Sequence, residues 1–213
     1  MKEKGNMLTV KLLFSVAIIG HLLCGYCDCL LTYIPGYGKF DPKSMSDNKL
    51  MSKTFEKMTL KNPQMSMILG CFALMMIAAG YFGMYLWFSK ISKNISILIL
   101  ISATLFFIPG TAHHVFCGVA EWFYIKMGRT EEAREAVVKF FKDTSITMIL
   151  CYLGMAVFGI TLFVAVVTGT AEIPRWGCIF NVVPLYLLTF WLRVGGMGNW
   201  CGAVMFAGLM FLI

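Results

Sequence analysis

Six long apolar runs constrain this chain more than any other feature of its sequence. They cover residues of about 8–34, 65–89, 95–125, 145–168, 173–192 and 197–213. Each run is roughly 17 to 30 residues long, enough for a helix rising 1.5 Å per residue to cross a hydrocarbon core about 30 Å thick. Glycine is frequent in the runs, and they lack the alternation typical of membrane barrel strands. The sequence therefore predicts an all-α fold, a single transmembrane domain (residues 1–213) built as a polytopic bundle of six membrane helices.

The composition supports the same class of protein. Of the 213 residues, 59% are hydrophobic and 14% are charged, against about 45–50% apolar and about 25% charged in an average soluble domain. The formal net charge is +7, but the basic residues lie between the apolar runs and form no basic stripe interleaved with stacking aromatics. We therefore expect membrane lipids as partners and no nucleic acid. The oligomeric state is unknown from the sequence.

Two linkers between the runs have the pattern of amphipathic helices on a membrane surface. The first, about 45–62, places Met51, Phe55 and Met58 at helical spacing among lysines. The second, about 130–143, begins with Thr130 as an N-cap, which Glu131 follows in the first turn. Twelve of the 18 lysines and arginines lie in the linkers after the first, third and fifth runs. Because basic residues accumulate on the cytoplasmic side, this distribution predicts that both termini are outside.

An internal repeat is the most informative pattern in the chain. "HLLCGYCD" (21–28) and "HVFCGVAE" (114–121) both fit H-x-x-C-G-x-x-[DE]. An aromatic-rich exit and a basic linker follow each copy, and the next runs contain "MILGCF" and "MILCYL". The first and second runs are therefore predicted to be a diverged duplicate of the third and fourth.

The repeat predicts a layered polar face between two parallel helices. Small residues at Gly25 and Gly118 would let the first and third membrane helices touch. Matching residues would then stand at similar depths, in three pairs: His21 with His114, Cys24 with Cys117, and Asp28 with Glu121.

Ionisable groups inside a bilayer are costly and mark functional sites by default. The predicted catalytic residues are His21, Asp28, His114 and Glu121. A zinc ion held by two H-x-x-C pairs would have His21, Cys24, His114 and Cys117 as ligands. Two further residues, His113 and Asn181, are predicted to bind substrate. A proton relay along the same groups, a disulfide between the paired cysteines, and plain packing of a bundle remain open alternatives.

Three classes of function fit these residues. The first is a membrane-embedded enzyme that acts on lipids, which predicts a pocket open to the inner leaflet with histidines and an acid converging on it. The second is a small-molecule or proton-coupled transporter, which predicts a polar path that continues past the histidines to Asn181 and the outer side. The third is a structural or partner-binding membrane protein, which predicts that these groups are scattered or paired off without a cavity.

At "YCDCLLTYIPGYG", "GTAHHVFCG" and "IPRWGCIFNVVP" the sequence resembles an uncharacterised family of bacterial six-span integral membrane proteins, a domain of unknown function. The shared features are an acid at the end of the first run, a G-T-A-H stretch in the third, and an asparagine and a proline in the fifth. The resemblance implies a six-helix fold and a location in the bacterial cytoplasmic (inner) membrane. It implies no activity.

Overall fold

A computed structural model describes the backbone of residues 2–213 and the side chains from residue 7 onward. The described part of the chain is almost entirely helical. Its α-helices are α1 (Lys2–Thr32), α2 (Asn48–Thr54), α3 (Lys61–Phe88), α4 (Lys93–Lys126), α5 (Glu131–Thr144), α6 (Ile146–Val167), α7 (Val182–Thr189) and α8 (Met197–Leu212). Two short strands, β1 (Tyr33–Ile34) and β2 (Gly38–Lys39), pair antiparallel after α1. Three 3₁₀ segments complete the elements: Pro42–Ser46, Arg175–Ile179 and Phe190–Leu192.

Four helical stretches are long and apolar enough to cross a membrane. They are Met7–Thr32, Lys61–Phe88, Lys93–Lys126 and Glu131–Val167, the last of which includes both α5 and α6. Two shorter apolar stretches, Val182–Leu192 and Met197–Leu212, follow them. The fold is therefore an all-α membrane bundle with four clear candidates for membrane spans.

The fifth apolar run does not form the continuous helix expected over 173–192. A 3₁₀ segment after Pro174 is followed by Asn181 in an extended conformation, with φ −139° and ψ 134°. The Asn181 side chain accepts a hydrogen bond from the Val183 N–H and so caps the start of α7. Because an extended residue ends one helix and starts another, the run is divided and α7 is short.

The contact predicted between the first and third apolar runs is confined to one place, where Asp28 of α1 meets His114 of α4. Helix α1 packs along α3 and α8, whereas α4 packs along α3 and α6. Gly25 of α1 faces the indole ring of Trp200 in α8, and Gly118 of α4 faces Met67 in α3. Gly25 therefore makes room for α8 and Gly118 for α3, whereas both were predicted to bring the first and third runs together. Because α3 packs against both helices, α1 and α4 contact each other over a short stretch.

Helix α8 runs antiparallel to α1 along its length. At one end, Gly195 in the turn before α8 lies against Thr32, the last residue of α1. At the other end, the Ser15 hydroxyl contacts the Met210 sulfur at 3.3 Å. The final hairpin thus extends along most of the apolar part of α1.

Hydrogen bonds hold the two linker helices, α2 and α5, together at one end of the bundle. The Arg129 guanidinium donates to the carbonyl oxygens of Phe55 at 3.1 Å and Met58 at 2.9 Å. The Tyr124 hydroxyl donates to the Asn48 side chain at 2.7 Å. These bonds fix α2 and α5 against the end of α4, beside the β1–β2 hairpin. We call this end of the molecule the linker end.

The opposite end of the bundle is closed by buried aromatic side chains. Phe14 packs against Phe206 with ring centroids 5.1 Å apart, and against Trp87 with centroids 6.4 Å apart. Tyr81 lies 5.3 Å from the Phe206 ring and is buried. This aromatic core separates the middle of the bundle from the end at which α1 begins.

Candidate functional site

A cavity of about 530 Å³ occupies the centre of the bundle and extends to the linker end. Its deep part is lined by apolar and aromatic residues of α3, α4 and α6, which include Leu74, Tyr81, Phe106, Phe107 and Met155. Polar groups line the rest of its wall: His21, Cys24, Asp28, His113, His114, Cys117, Glu121 and Asn199. The cavity is therefore amphipathic, with its apolar part deepest.

The centre of the polar wall is a contact between Asp28 of α1 and His114 of α4. The Asp28 Oδ1 atom lies 3.2 Å from the His114 Nδ1 atom. On the other side of the ring, His114 Nε2 lies 3.1 Å from the carbonyl oxygen of Ser66 in α3. A carbonyl oxygen only accepts hydrogen bonds, so Nε2 must carry the proton. In the neutral ring, Nδ1 then presents its lone pair to Asp28.

The position of the His114 ring is set by α3. A Cβ atom at Gly70 would overlap the imidazole, so only glycine leaves space for the ring at this place. The Ser66 hydroxyl donates to the Cys27 carbonyl at 2.9 Å and so connects α3 to α1 beside the ring. Helix α3 therefore determines where His114 lies.

Asn199 of α8 links this contact to His21. Its side-chain Nδ2 donates to Asp28 Oδ2 at 2.8 Å, and its Oδ1 lies 3.0 Å from His21 Nδ1. The Asp28 carboxylate accepts a hydrogen bond, so the NH₂ group of Asn199 faces Asp28 and its amide oxygen faces His21. Because an amide oxygen also only accepts, His21 must donate from Nδ1. The His21 ring packs over Gly202, where a Cβ atom would overlap it. A continuous chain of polar contacts therefore joins α8, α1, α4 and α3.

Three of these residues form a cluster that could hold a metal ion. One ligand atom each from Cys24, Asp28 and His114 lies within 4.8 Å of the other two. Of the four ligands predicted from the sequence, this cluster contains Cys24 and His114. His21 is instead bonded to Asn199, and Cys117 lies beside His113.

The predicted pairing of equivalent residues in layers is wrong. Asp28 meets His114, not Glu121, and His21 meets Asn199, not His114. The two helices are thus displaced by seven residues, about 10.5 Å along the axis, from the register that the repeat predicts. Their register follows from how each helix packs on α3, and sequence equivalence does not determine it.

The remaining predicted residues lie at different places. The His113 ring lies 3.3 Å from the Thr147 hydroxyl through Nδ1 and 3.7 Å from the Cys117 sulfur through Nε2. Glu121 lies in the cavity wall nearer the linker end, and its buried Oε2 atom has no hydrogen-bond partner among the described residues. Asn181 lies outside the cavity lining, and its Nδ2 donates to the Gly159 carbonyl at 2.7 Å.

Asn199, Ser66 and Thr147 are site residues that the sequence reasoning missed. Asn199 is a polar amide at the start of the sixth apolar run, and that position is the signal that could have identified it. Ser66 contributes mainly its backbone carbonyl, which any residue type could provide. No sequence pattern identifies such a group.

One side of the cavity is open toward the outer surface of the bundle. Tyr152 of α6 lines the cavity and is also 51% exposed. Tyr152 therefore brings part of the cavity wall to the lateral surface of the bundle, which a bilayer would surround.

All eight cysteines are free thiols. Cys24 and Cys117, for which a disulfide was one alternative, both contribute thiols to the cavity wall.

Fold and cavity together define a helical membrane protein with a polar site inside its bundle. The chain belongs to DUF6796, a family of unknown function, whose family model matches residues 1–212. No curated protein and no solved structure matches the chain. The family agrees with the uncharacterised class that the sequence resembles, and it assigns no activity.

Proposed function

We propose that this protein is a membrane-embedded, zinc-dependent hydrolase that acts on an acyl lipid. The observation that carries the proposal is the arrangement of His114. Its Nε2 atom donates a hydrogen bond to the Ser66 carbonyl. Its Nδ1 atom faces Asp28, and both residues form the possible metal-binding cluster with Cys24. A lone pair on Nδ1 and an ionised carboxylate 3.2 Å away repel each other unless a proton or a cation lies between them.

The geometry fits a metal ion at this point. Two zinc bonds of about 2.0 Å at a tetrahedral angle place their ligand atoms roughly 3.3 Å apart, close to the 3.2 Å between Asp28 Oδ1 and His114 Nδ1. Metal-bound histidines usually donate their other N–H to a carbonyl or carboxylate, as His114 does to Ser66. The free oxygen of Asp28 is likewise held by Asn199.

The number of ligands favours catalysis over a structural role. Structural zinc sites are usually closed by four protein ligands, whereas catalytic sites have three and leave one position for water or substrate. Cys24, Asp28 and His114 supply three. Bound zinc would activate a water molecule and polarise a carbonyl oxygen.

The cavity itself supports a lipid substrate more than a transported solute. Its deep part is apolar, and it reaches the lateral surface at Tyr152. A transport path would have to continue beyond His21, but the aromatic core around Phe14 and Phe206 lies in that direction. Asn181, which such a path was expected to include, is bonded to Gly159.

We further propose six membrane crossings, with the divided fifth run (residues 173–192, which includes α7) as the fifth and α8 as the sixth. The support is that α8 follows α1 from Thr32 to Ser15. About 17 residues of α1 lie between these two contacts, roughly 25 Å of helix. The inner-membrane location in a bacterium, the outward orientation of both termini and the internal repeat stay predictions from the sequence.

The proposed function is tested by metal content and lipid turnover. Purified wild-type protein should contain about one zinc ion per chain by elemental analysis, and His114→Ala should lose it. His113→Ala is the matched control, because His113 lies beside His114 in the same wall but is bonded to Thr147 and Cys117. This control should retain zinc.

Wild-type protein in phospholipid liposomes should then release fatty acid, measured by mass spectrometry. The release should stop on chelation and return with added zinc. Protein purified without bound metal, and unable to take up zinc, would refute the metal centre. A zinc-loaded protein that releases no fatty acid from any acyl lipid would refute the hydrolase.

A further inference from the structure

Cys117 and His113 form a thiol–imidazole pair that the proposed zinc centre does not use. They are four residues apart on one face of α4, and the Cys117 sulfur lies 3.7 Å from His113 Nε2. This distance suits a hydrogen bond from a thiol, because sulfur is larger than oxygen. Both side chains line the cavity, and both residues keep part of their surface accessible. The pair is therefore placed where a ligand in the cavity can meet it.

The tautomer of His113 is fixed by Thr147 of α6. The Thr147 hydroxyl donates its single proton to the Thr144 carbonyl at 2.8 Å. Its oxygen is then an acceptor for His113 Nδ1, which lies 3.3 Å away. In the neutral ring, Nδ1 therefore carries the proton, and the Nε2 lone pair faces the Cys117 thiol.

Cys117, His113 and Thr147 have the arrangement of a nucleophile, a base and a group that orients the base. Covalent catalysis by serine and cysteine uses these three parts within hydrogen-bond reach of one another. A thiol attacks well only when it loses its proton, and the Nε2 lone pair of His113 can accept that proton. The contacts of these side chains therefore fit a cysteine nucleophile.

The cavity restricts which electrophile reaches the sulfur. Its deep part is lined by Leu74, Phe106 and Met155, which suit a hydrocarbon chain. His114 of the proposed zinc cluster precedes Cys117 by three residues, so their Cβ atoms are neighbours on the helix surface, about 5–6 Å apart. The carbonyl group of an acyl lipid bound beside the cluster would thus lie near the thiol.

We propose that Cys117 is the nucleophile that accepts the acyl group of the lipid as a thioester, with His113 as its base. The sulfur attacks the ester carbonyl while the thiol proton passes to His113 Nε2. The C–O bond of the ester breaks, and the alcohol leaves with that proton. Water then attacks the thioester, and its proton passes through His113 to the sulfur as the C–S bond breaks. The fatty acid leaves, and the thiol is restored.

This inference rests on the proposed function for the acyl substrate, and its test measures the thioester itself. The probe is 4-nitrophenyl octanoate, an activated ester whose leaving group departs without a metal. Full-length protein in detergent is mixed with the probe and quenched in acid at successive times. Peptide mass spectrometry then locates the octanoyl group on each residue. Neutral hydroxylamine should remove the group from Cys117, because hydroxylamine cleaves thioesters under these conditions.

Cys151 is an internal control in the same protein. It is a partly accessible thiol of α6 in the same cavity wall. All three histidines of the chain are bonded to other groups, so Cys151 has no imidazole base. Cys117 should therefore acquire octanoate about 100-fold faster than Cys151, the lower end of what a general base contributes. Equal rates at the two thiols would overturn the proposal even if no variant folds.

Variants identify the base and the residue that positions it. His113→Ala should slow the acylation of Cys117 to the rate of Cys151. Thr147→Val removes the acceptor for Nδ1 and should slow it less, whereas Thr147→Ser keeps a hydroxyl and should retain the wild-type rate. Cys151→Ser is the matched control and should leave the acylation of Cys117 unchanged. An undiminished rate in His113→Ala would overturn the role of His113.

The outcomes for the two proposals are separable. His113→Ala should keep its zinc and lose the acylation of Cys117. Zinc binding and release of fatty acid without a thioester at Cys117 would overturn this inference and leave the hydrolase. A thioester at Cys117 in a protein that binds no zinc would leave the acyl acceptor standing and remove the metal centre.

Discussion

Asn199 is the residue that joins the two histidines of the site. Its amide donates to Asp28 and accepts from His21, so one side chain orients the carboxylate of the proposed zinc cluster and fixes the tautomer of the deeper ring. Residues in this position usually influence a metal without contacting it, because they hold its ligands in the geometry that binding requires.

Substitution of Asn199 should therefore weaken zinc binding without removing a ligand. Asn199→Leu keeps a similar volume but loses the bond to Asp28 Oδ2, and we expect a roughly 10–100-fold lower zinc affinity. Competition with a fluorescent zinc chelator measures this affinity. The adjacent Gly198→Ala is the control, since a Cβ atom there meets nothing within 4 Å. Equal affinity in Asn199→Leu and wild type would contradict the role given to this bond.

At the scale of helices, the distance between α4 and α6 is set by a glycine. A Cβ atom at Gly154 of α6 would lie 2.7 Å from the Leu105 carbonyl carbon and 2.8 Å from the Ser102 carbonyl oxygen. Both are backbone atoms of α4, which cannot move aside as the end of a flexible side chain can. The two helices must therefore separate if any side chain is introduced.

Gly154→Ala should destabilise the bundle by about 1–3 kcal/mol, the usual cost of overpacking. The measurement is thermal unfolding in detergent, followed by circular dichroism. Gly198→Ala again serves as the control, because it makes the same chemical change in open space. An unchanged melting temperature for Gly154→Ala would mean that α4 and α6 are not in such close contact.

The divided fifth run shows that hydropathy does not reveal a break within an apolar stretch. Residues 173–192 are apolar over a helical length, but Asn181 is extended and caps a new helix. A side chain that caps a helix start satisfies backbone N–H groups that a continuous helix would bond internally. Both arrangements have the same hydropathy, so only the backbone conformation distinguishes them.

The whole molecule has two different ends. Helices α2 and α5 and the β1–β2 hairpin lie at the linker end, near the polar part of the cavity, and the aromatic core closes the other. If α7 and α8 complete six crossings, both termini lie on the membrane face opposite the linker helices. The positive-inside rule then predicts that both termini are outside.

Epitope tags test this topology in intact cells or sealed vesicles. Tags at the two termini should be accessible from the same side, and a tag inserted after Lys57, in the exposed turn between α2 and α3, should be accessible only from the other. Accessibility is measured with antibody before and after permeabilisation. Termini on opposite sides would require an odd number of crossings and would exclude the six-span arrangement.

The class of protein and the residues with unusual chemistry follow from the amino-acid sequence alone. Apolar runs of helical length admit few other folds, because every backbone polar group inside a bilayer must be bonded within the protein. Ionisable residues such as His21, Asp28 and His114 stand out within these runs, because a charge or a polar ring is costly to place in hydrocarbon. The family match agrees with this class and adds no activity.

Which of these residues meet depends on how the helices pack in three dimensions. Asp28 bonds to Asn199, 171 residues away, and contacts His114, where the repeat predicts Glu121. The depth of one helix relative to another depends on side-chain packing against α3 and α8, and a shift of two turns changes every partner while leaving each helix's own pattern intact. Periodicity within a helix specifies a face, but the register between helices comes from contacts that are distant in sequence.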